Sequence, residues 1–336
     1  MTSVKTQCKK SLNDFFAKIL ISLLLVSQLL LAAQISHKID DGSFKTSSSV
    51  YLKPSQKLRM RFNVKNAKSI RWYQIIPDTA KFYKNANHPW EKNPYQWSDY
   101  GKIDYQRVEI KAFENQKEVE LTREILEENR PKNNSYYNSK LGSFWFEVEV
   151  LKTNGKVVKT KGIKDVERKG LSPKVFRVSY MASDDYIGYL TTFFNVPGIF
   201  GSMPYQSRNY IGVDCADVLV ATSKVMNKQK NTKNYNVVML VDKFKTKVKT
   251  KIVRGNPVKT LTWGKDFKKG DFIAVKYREN GRYAHIGMLY ADENKNGILD
   301  KEDSIINAGP NALHLTPLSK GAFNGTVVIL KNEDLP

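Results

Sequence analysis

The chain has 336 residues and a formal charge of +22, with 41% hydrophobic and 11% aromatic residues. That composition excludes a disordered or low-complexity protein and leaves room for more than one core. The positive charge points to anionic partners, and two cysteines exclude a disulfide-stapled scaffold.

Lys5, Lys9, Lys10 and Lys18 precede Ile19 to Ile35, a run without charge. This reads as an export signal over residues 1–35, either a cleaved signal peptide or a signal anchor. Removing about 33 residues would leave +19 and Cys215 alone, because Cys8 lies ahead of the apolar run. The expected location is outside the cytoplasm: periplasm, cell envelope or secreted. A membrane partner enters only through an N-terminal anchor.

Residues 36–170 read as β-rich. Leu58, Met60, Phe62 and Val64 alternate in "KLRMRFNV", as do Phe144, Phe146, Val148 and Val150 around "FWFEVEV". "SIRWYQII" and "KEVELT" add strands, and "TREILEENRP" adds a helix stopped by Pro131. The pattern predicts a small β-sandwich, with an immunoglobulin-like layout as one form of it. Phe82, Tyr83, Trp90, Tyr95, Trp97, Tyr100 and Tyr105 crowd one Asn- and Pro-rich stretch. These rings either stack on a flat ligand or pack under their own loop.

Residues 171–336 carry the chemistry. In "GVDCADVLV" Asp214 is a natural N-cap, and Val218, Ala221, Thr222, Val225 and Met226 mark one helical face. Cys215 then falls in the first turn, where free N–H groups and the helix dipole favour a thiolate. A thiol nucleophile needs a base held in one tautomer. "GRYAHIGMLY" offers His285 at a strand start, and "SIINAGP" offers Asn307, with His314 competing for the orienting role.

Here the chain resembles the NlpC-type papain-like cysteine peptidases that cut bacterial cell-wall peptides. "GVDCADVLV" is similar to that family's Asp-Cys-Ser-Gly-Leu-Val helix start, and "KKGDFIAVKY" to its Pro-Gly-Asp-Leu-Val-Phe-Phe strand. "AHIGMLY" matches its His-Val-Gly-Ile-Tyr strand, and "IINAG" takes the place of its third polar residue. The resemblance covers roughly residues 185 to 330. It implies an α+β fold in which a Cys-bearing helix packs on an antiparallel sheet, with Cys215 as nucleophile, His285 as base and Asn307 as orienting group. It further implies cleavage of peptidoglycan stem-peptide amides, γ-D-glutamyl to diamino-acid bonds in kind. Asp217 departs from the family's small glycine, which leaves two alternatives open: an inactive wall-binding protein on the same fold, and a Cys-dependent acyl or amide transferase.

Between the His and Asn strands, "DENKNGILDKED" follows the twelve-residue calcium register: Asp292, Asn294, Asn296, the carbonyl of Ile298, Asp300 and Asp303, with Gly297 at the sharp turn. With Asp in place of Glu at the last position, weak structural Ca2+ binding is expected. Finally, "DKFKTKVKTKIV" places Lys243, Lys245, Lys247, Lys249 and Lys251 on one strand face. Such a row is either a solvated edge or a track for peptidoglycan or another anionic envelope polymer. Nucleic acid is not expected, because no base-reading motif accompanies the charge.

Overall fold

The computed structural model describes residues 33–78, 103–132, 134–168, 170–230, 232–309 and 311–332. Residues 1–32 of the expected leader, with Cys8, and all the clustered aromatic residues except Tyr105 lie outside the described residues. Among those described, no helix is long and apolar enough to cross a membrane.

Two sheets form the N-terminal half. The first runs Lys45–Thr46 (β2), Ser36–Ile39 (β1), Leu58–Arg61 (β4) and Glu118–Leu121 (β7). The second runs Ser49–Leu52 (β3), Phe176–Tyr180 (β12), Gly142–Lys152 (β8), Ala67–Asp78 (β5) and Asp104–Glu109 (β6), with Val157–Lys159 (β9) also paired to β8. Val166–Glu167 (β10) and Gly170–Leu171 (β11) form a small ribbon. Leu58, Met60, Phe144, Phe146, Val148 and Val150 meet in one core, as their alternation dictates. Ile35, the last residue of the apolar run, is buried in the same core. The helix Arg123–Glu128 (α1) is capped by the Thr122 hydroxyl.

The sequence places the break near residue 170, and the strand pairing moves it. β12 runs parallel to β3 and antiparallel to β8, so the second sheet extends to Tyr180. Its signature was masked by Arg177 and Ser179, polar residues that are buried. The Arg177 guanidinium donates to the hydroxyls of Tyr51, Ser143 and Ser179 and lies 3.5 Å from the Tyr210 ring, which is how a buried cation is satisfied by hydroxyls and an aromatic face.

β8 is buried on both faces. Trp145, with Ile75 from β5, joins the cluster that holds Leu190, Phe193 and Phe194 of the C-terminal half. At this seam the Ser143 N–H donates to the Phe194 carbonyl at 2.9 Å. Gly142 has φ 105°, and a Cβ there would fall 2.5 Å from the Phe194 oxygen, so only glycine fits.

The C-terminal half is an antiparallel sheet with helices against one face. Its order is Asn256–Pro257 (β14), Thr246–Val253 (β13), Gly325–Leu330 (β19), Phe272–Lys276 (β15), His285–Ala291 (β16), Ser304–Asn307 (β17) and His314–Pro317 (β18). Ahead of it come Tyr186–Thr191 (α2), Pro204–Arg208 (α3), Asp217–Met226 (α4) and Val237–Lys243 (α5). Period-2 alternation divides β15 and β16 between two cores. Phe272, Ala274, Ile286 and Met288 face the helices, and Ile273, Val275 and Leu289 face a second apolar layer with Phe267 and Phe323. The molecule is therefore mixed α and β, dominated by sheet.

Lys245 to Lys251 fall partly as expected. Lys249 and Lys251 are exposed on β13, whereas Lys243 closes α5 and Lys247 turns in to pair with the buried Asp271 at 2.6 Å. The row is thus broken by a counter-ion.

Candidate active site

Asp214 organises the turn that presents Cys215. Its Oδ1 accepts from the N–H groups of Ala216 at 3.0 Å and Asp217 at 2.8 Å, and its carbonyl accepts from the Val218 N–H at 3.2 Å. Asp214 thus closes the turn ahead of α4, whose own N-cap is Ala216 without a side-chain bond, so Cys215 precedes the helix and does not lie in its first turn as expected from the sequence. Burial pushes the Asp214 carboxyl up to about 6, although the N–H groups of Asp217, Ala216, Gly201 and Ser202 all bond to it. Asp217, the departure from the family pattern, is buried and accepts a hydrogen bond from the Ser202 hydroxyl at 2.7 Å. It ties the 198–203 loop to the helix.

Cys215 is a free, partly buried cysteine packed against the helix-side core. The backbone N–H groups of Ile286, Ala216 and Cys215 itself bond toward its sulfur and favour the thiolate. The expectation of a lowered thiol pKa is nevertheless reversed. Burial pushes the thiol up to about 12, and the neighbouring Asp214 carboxylate raises it further. Desolvation outweighs the partial charges of one helix end.

The Ile286 amide places the sulfur at the start of β16, one residue from His285. The His285 ring is buried, 5.0 Å from that of Phe323, and its Nε2 lies 3.1 Å from Asn307 Oδ1. An amide oxygen only accepts, so Nε2 carries the proton and Nδ1 keeps its lone pair. Burial holds the imidazole down at about 4, with the Asn307 bond opposing and His314 adding to the fall. Among the described residues no hydrogen bond joins the sulfur to the imidazole, and both groups are neutral near pH 7. The structure thus places Asn307, rather than His314, against the His285 ring. His314 sits opposite Asn307 on β18.

Three neighbours were not singled out in the sequence. Gly287 on β16 faces Asn307 on β17. Gly309, at φ 97°, keeps the approach to the Cys215 N–H open: a Cβ there would lie 3.8 Å from that nitrogen. Tyr277 is half-exposed, and its phenol is pushed up to about 12, by burial first and then by the Cys215 sulfur. Its only sequence signal was its place at the end of the strand that pairs with His285. Tyr105, by contrast, is no binding ring, since its hydroxyl accepts the Leu171 N–H at 3.0 Å in the seam.

The loop after β16 gathers four of the expected cation ligands. Asp292 accepts from the N–H groups of Asn296 and Gly297, the latter at φ 75°, while the Asn294 and Asn296 side-chain amides donate to Asp300 Oδ2 at 2.8 and 2.7 Å. With those amides turned over, oxygens would surround the same point, which suits a hard cation. Ile298 lies alongside in a bridge with Thr262. Asp303 fits less well, because it is buried and its carboxylate accepts from the Trp263 indole, Asp300 and Glu293. Among the described residues no group of three or more His, Cys, Asp or Glu side chains is placed to hold a metal.

Compared with family models, curated proteins and solved structures, the chain matches none of the three. Its reading rests on its own residues.

Proposed function

We propose that the chain is an exported peptidoglycan hydrolase with a papain-like C-terminal domain, cutting stem-peptide amides through Cys215, His285 and Asn307. The observation that carries this reading is the 3.1 Å bond between His285 Nε2 and Asn307 Oδ1, one residue along β16 from Ile286, whose N–H bonds toward the Cys215 sulfur.

In this mechanism the neutral pair reacts in one motion. As the sulfur attacks the amide carbonyl, its proton passes to His285 Nδ1. The Cys215 N–H, which the Asp214 carboxylate does not engage, receives the oxyanion, and Gly309 leaves that approach unobstructed. Collapse breaks the C–N bond, and the imidazolium returns its proton to the leaving amine. Water, activated by His285, then splits the thioester and regenerates the thiol.

The exposed Lys249 and Lys251 suit an anionic envelope polymer. A calcium ion held by Asp292, Asn294, Asn296, Asp300 and the Ile298 carbonyl would brace the hairpin that carries the base and its partner. The raised thiol favours a second reading, a wall-binding module without chemistry. Muropeptide analysis with the wild type beside Cys215→Ala separates the two: cleavage that disappears with the sulfur supports the hydrolase, and an inert wild type supports the binder. Products joined to an added amine would instead mark a transferase.

A further inference from the structure

We propose that His314 is a positioning residue: it sets which way the Asn307 amide faces and, through that amide, which nitrogen of His285 carries the proton. This rests on reading His285 as the base.

Asn307 and His314 are direct partners across β17 and β18, with Gly287 completing the row on β16. Directly opposed side chains leave one face of the sheet with Cβ atoms about 5 Å apart. His314 Nδ1 lies 2.8 Å from the Ala312 carbonyl. A carbonyl cannot donate, so Nδ1 carries the hydrogen and Nε2 of the neutral ring is an acceptor. Burial keeps that ring below its ordinary pKa, which favours the neutral form. Tyr136, from the N-terminal half, packs edge-on against it with ring centroids 4.9 Å apart and fixes its plane.

Asn307 is 5% exposed, and its Nδ2 has no hydrogen-bond partner among the described residues. A buried amide with two N–H donors and no acceptor is costly. The register sets His314 directly across from it on the neighbouring strand; no direct bond joins the two, and one water would bridge the Nε2 lone pair to the amide NH2. Each role then dictates the next. His314 accepts, the amide NH2 turns toward it, the amide oxygen turns toward His285, and His285 is left with Nδ1 free to take the thiol proton. A donor at position 314 would turn the amide over, put NH2 against Nε2, and force the hydrogen onto Nδ1, where it blocks the base.

The test is the tautomer of His285, read by nitrogen NMR on the full chain at neutral pH in the wild type, His314→Gln, His314→Phe and His314→Arg. Wild type and His314→Gln, whose amide oxygen can accept, should hold the hydrogen on Nε2. His314→Phe should give a mixture, and His314→Arg should move it to Nδ1. Wall-fragment kcat should fall about 10- to 100-fold in the last two with KM unchanged. If His285 keeps its Nε2 hydrogen in both, the proposal is overturned. Should His314→Arg fail to fold, His314→Phe carries the same decision. Tautomers that shift as expected in a protein that cleaves nothing would uphold the positioning role and sink the hydrolase reading instead.

Discussion

Gly287 stands directly across β16 and β17 from Asn307, and a Cβ on it would come within 2.9 Å of the Asn307 Cβ and 2.8 Å of the Ile306 carbonyl oxygen. The amide reaches His285 by leaning over this missing side chain. Gly287→Val should therefore push β17 away and break the bond between His285 and Asn307. Overpacking of this kind costs about 1–3 kcal/mol. A misplaced base costs about 100-fold in rate. The expected result is a folded protein with a lower melting temperature and a far larger loss of activity than of stability. Equal activity in the variant would show that Asn307 does not hold the base.

The thiol supplies the second prediction. With its pKa pushed up to about 12, Cys215 should react slowly with iodoacetamide near neutrality, and the rate should climb with pH without a plateau below 10. The Asp214 carboxylate contributes to that height, so Asp214→Asn should shift the profile toward lower pH while its amide oxygen still caps Ala216 and Asp217. A wild-type plateau at pH 7 would mean that the site rests as an ion pair.

Much of this site could be read from residue patterns, because helix faces and strand alternation are local. Val218 to Met226 form the helix their spacing demands, and Asn307 comes to His285 because neighbouring antiparallel strands bring them there. What local pattern could not supply was burial. The height of the Cys215 pKa depends on how deeply loops far apart in the chain enclose the sulfur. Arg177 and Ser179 obscured β12 for a related reason: besides bonding each other, they are satisfied by Tyr51, Ser143 and Tyr210, which lie far away in the sequence. Asp217 looked like a threat to the nucleophile until Ser202 appeared as its partner.

His285 makes stability depend on acid. Its folded pKa is about 4, below the unfolded value of 6.5, so the unfolded chain binds the proton more readily between those limits. Stability should be intact above pH 6.5 and should fall as pH drops toward 4, by about 3 kcal/mol from this one ring. Asp214 works the opposite way, since its raised pKa lets the folded state take up a proton as pH falls through 6. Comparing wild type with His285→Gln isolates the histidine. Urea melts at pH 7 and pH 4.5 should show the wild type losing more stability than the variant, and parallel losses would place the imidazole in a wetter setting than its burial implies.

The hairpin loop separates metal binding from framework. Asp300 accepts from both asparagine amides and, among the described residues, has no other side-chain partner beyond its own turn, whereas Asp303 holds the Trp263 indole N–H at 2.8 Å. If calcium binds with a Kd of roughly 1 mM, as two carboxylates without a twelfth-position ligand suggest, 10 mM calcium should stabilise the fold by about 1.4 kcal/mol. That is a rise of about 2–4 °C in Tm. Asp300→Ala should abolish the rise while melting near the wild type in chelator. Asp303→Ala should melt lower even in chelator, because the partly buried Trp263 indole N–H loses its acceptor. A wild type whose Tm ignores calcium up to 10 mM would leave Asp292, Asn294, Asn296 and Asp300 as a hydrogen-bonded turn and nothing more.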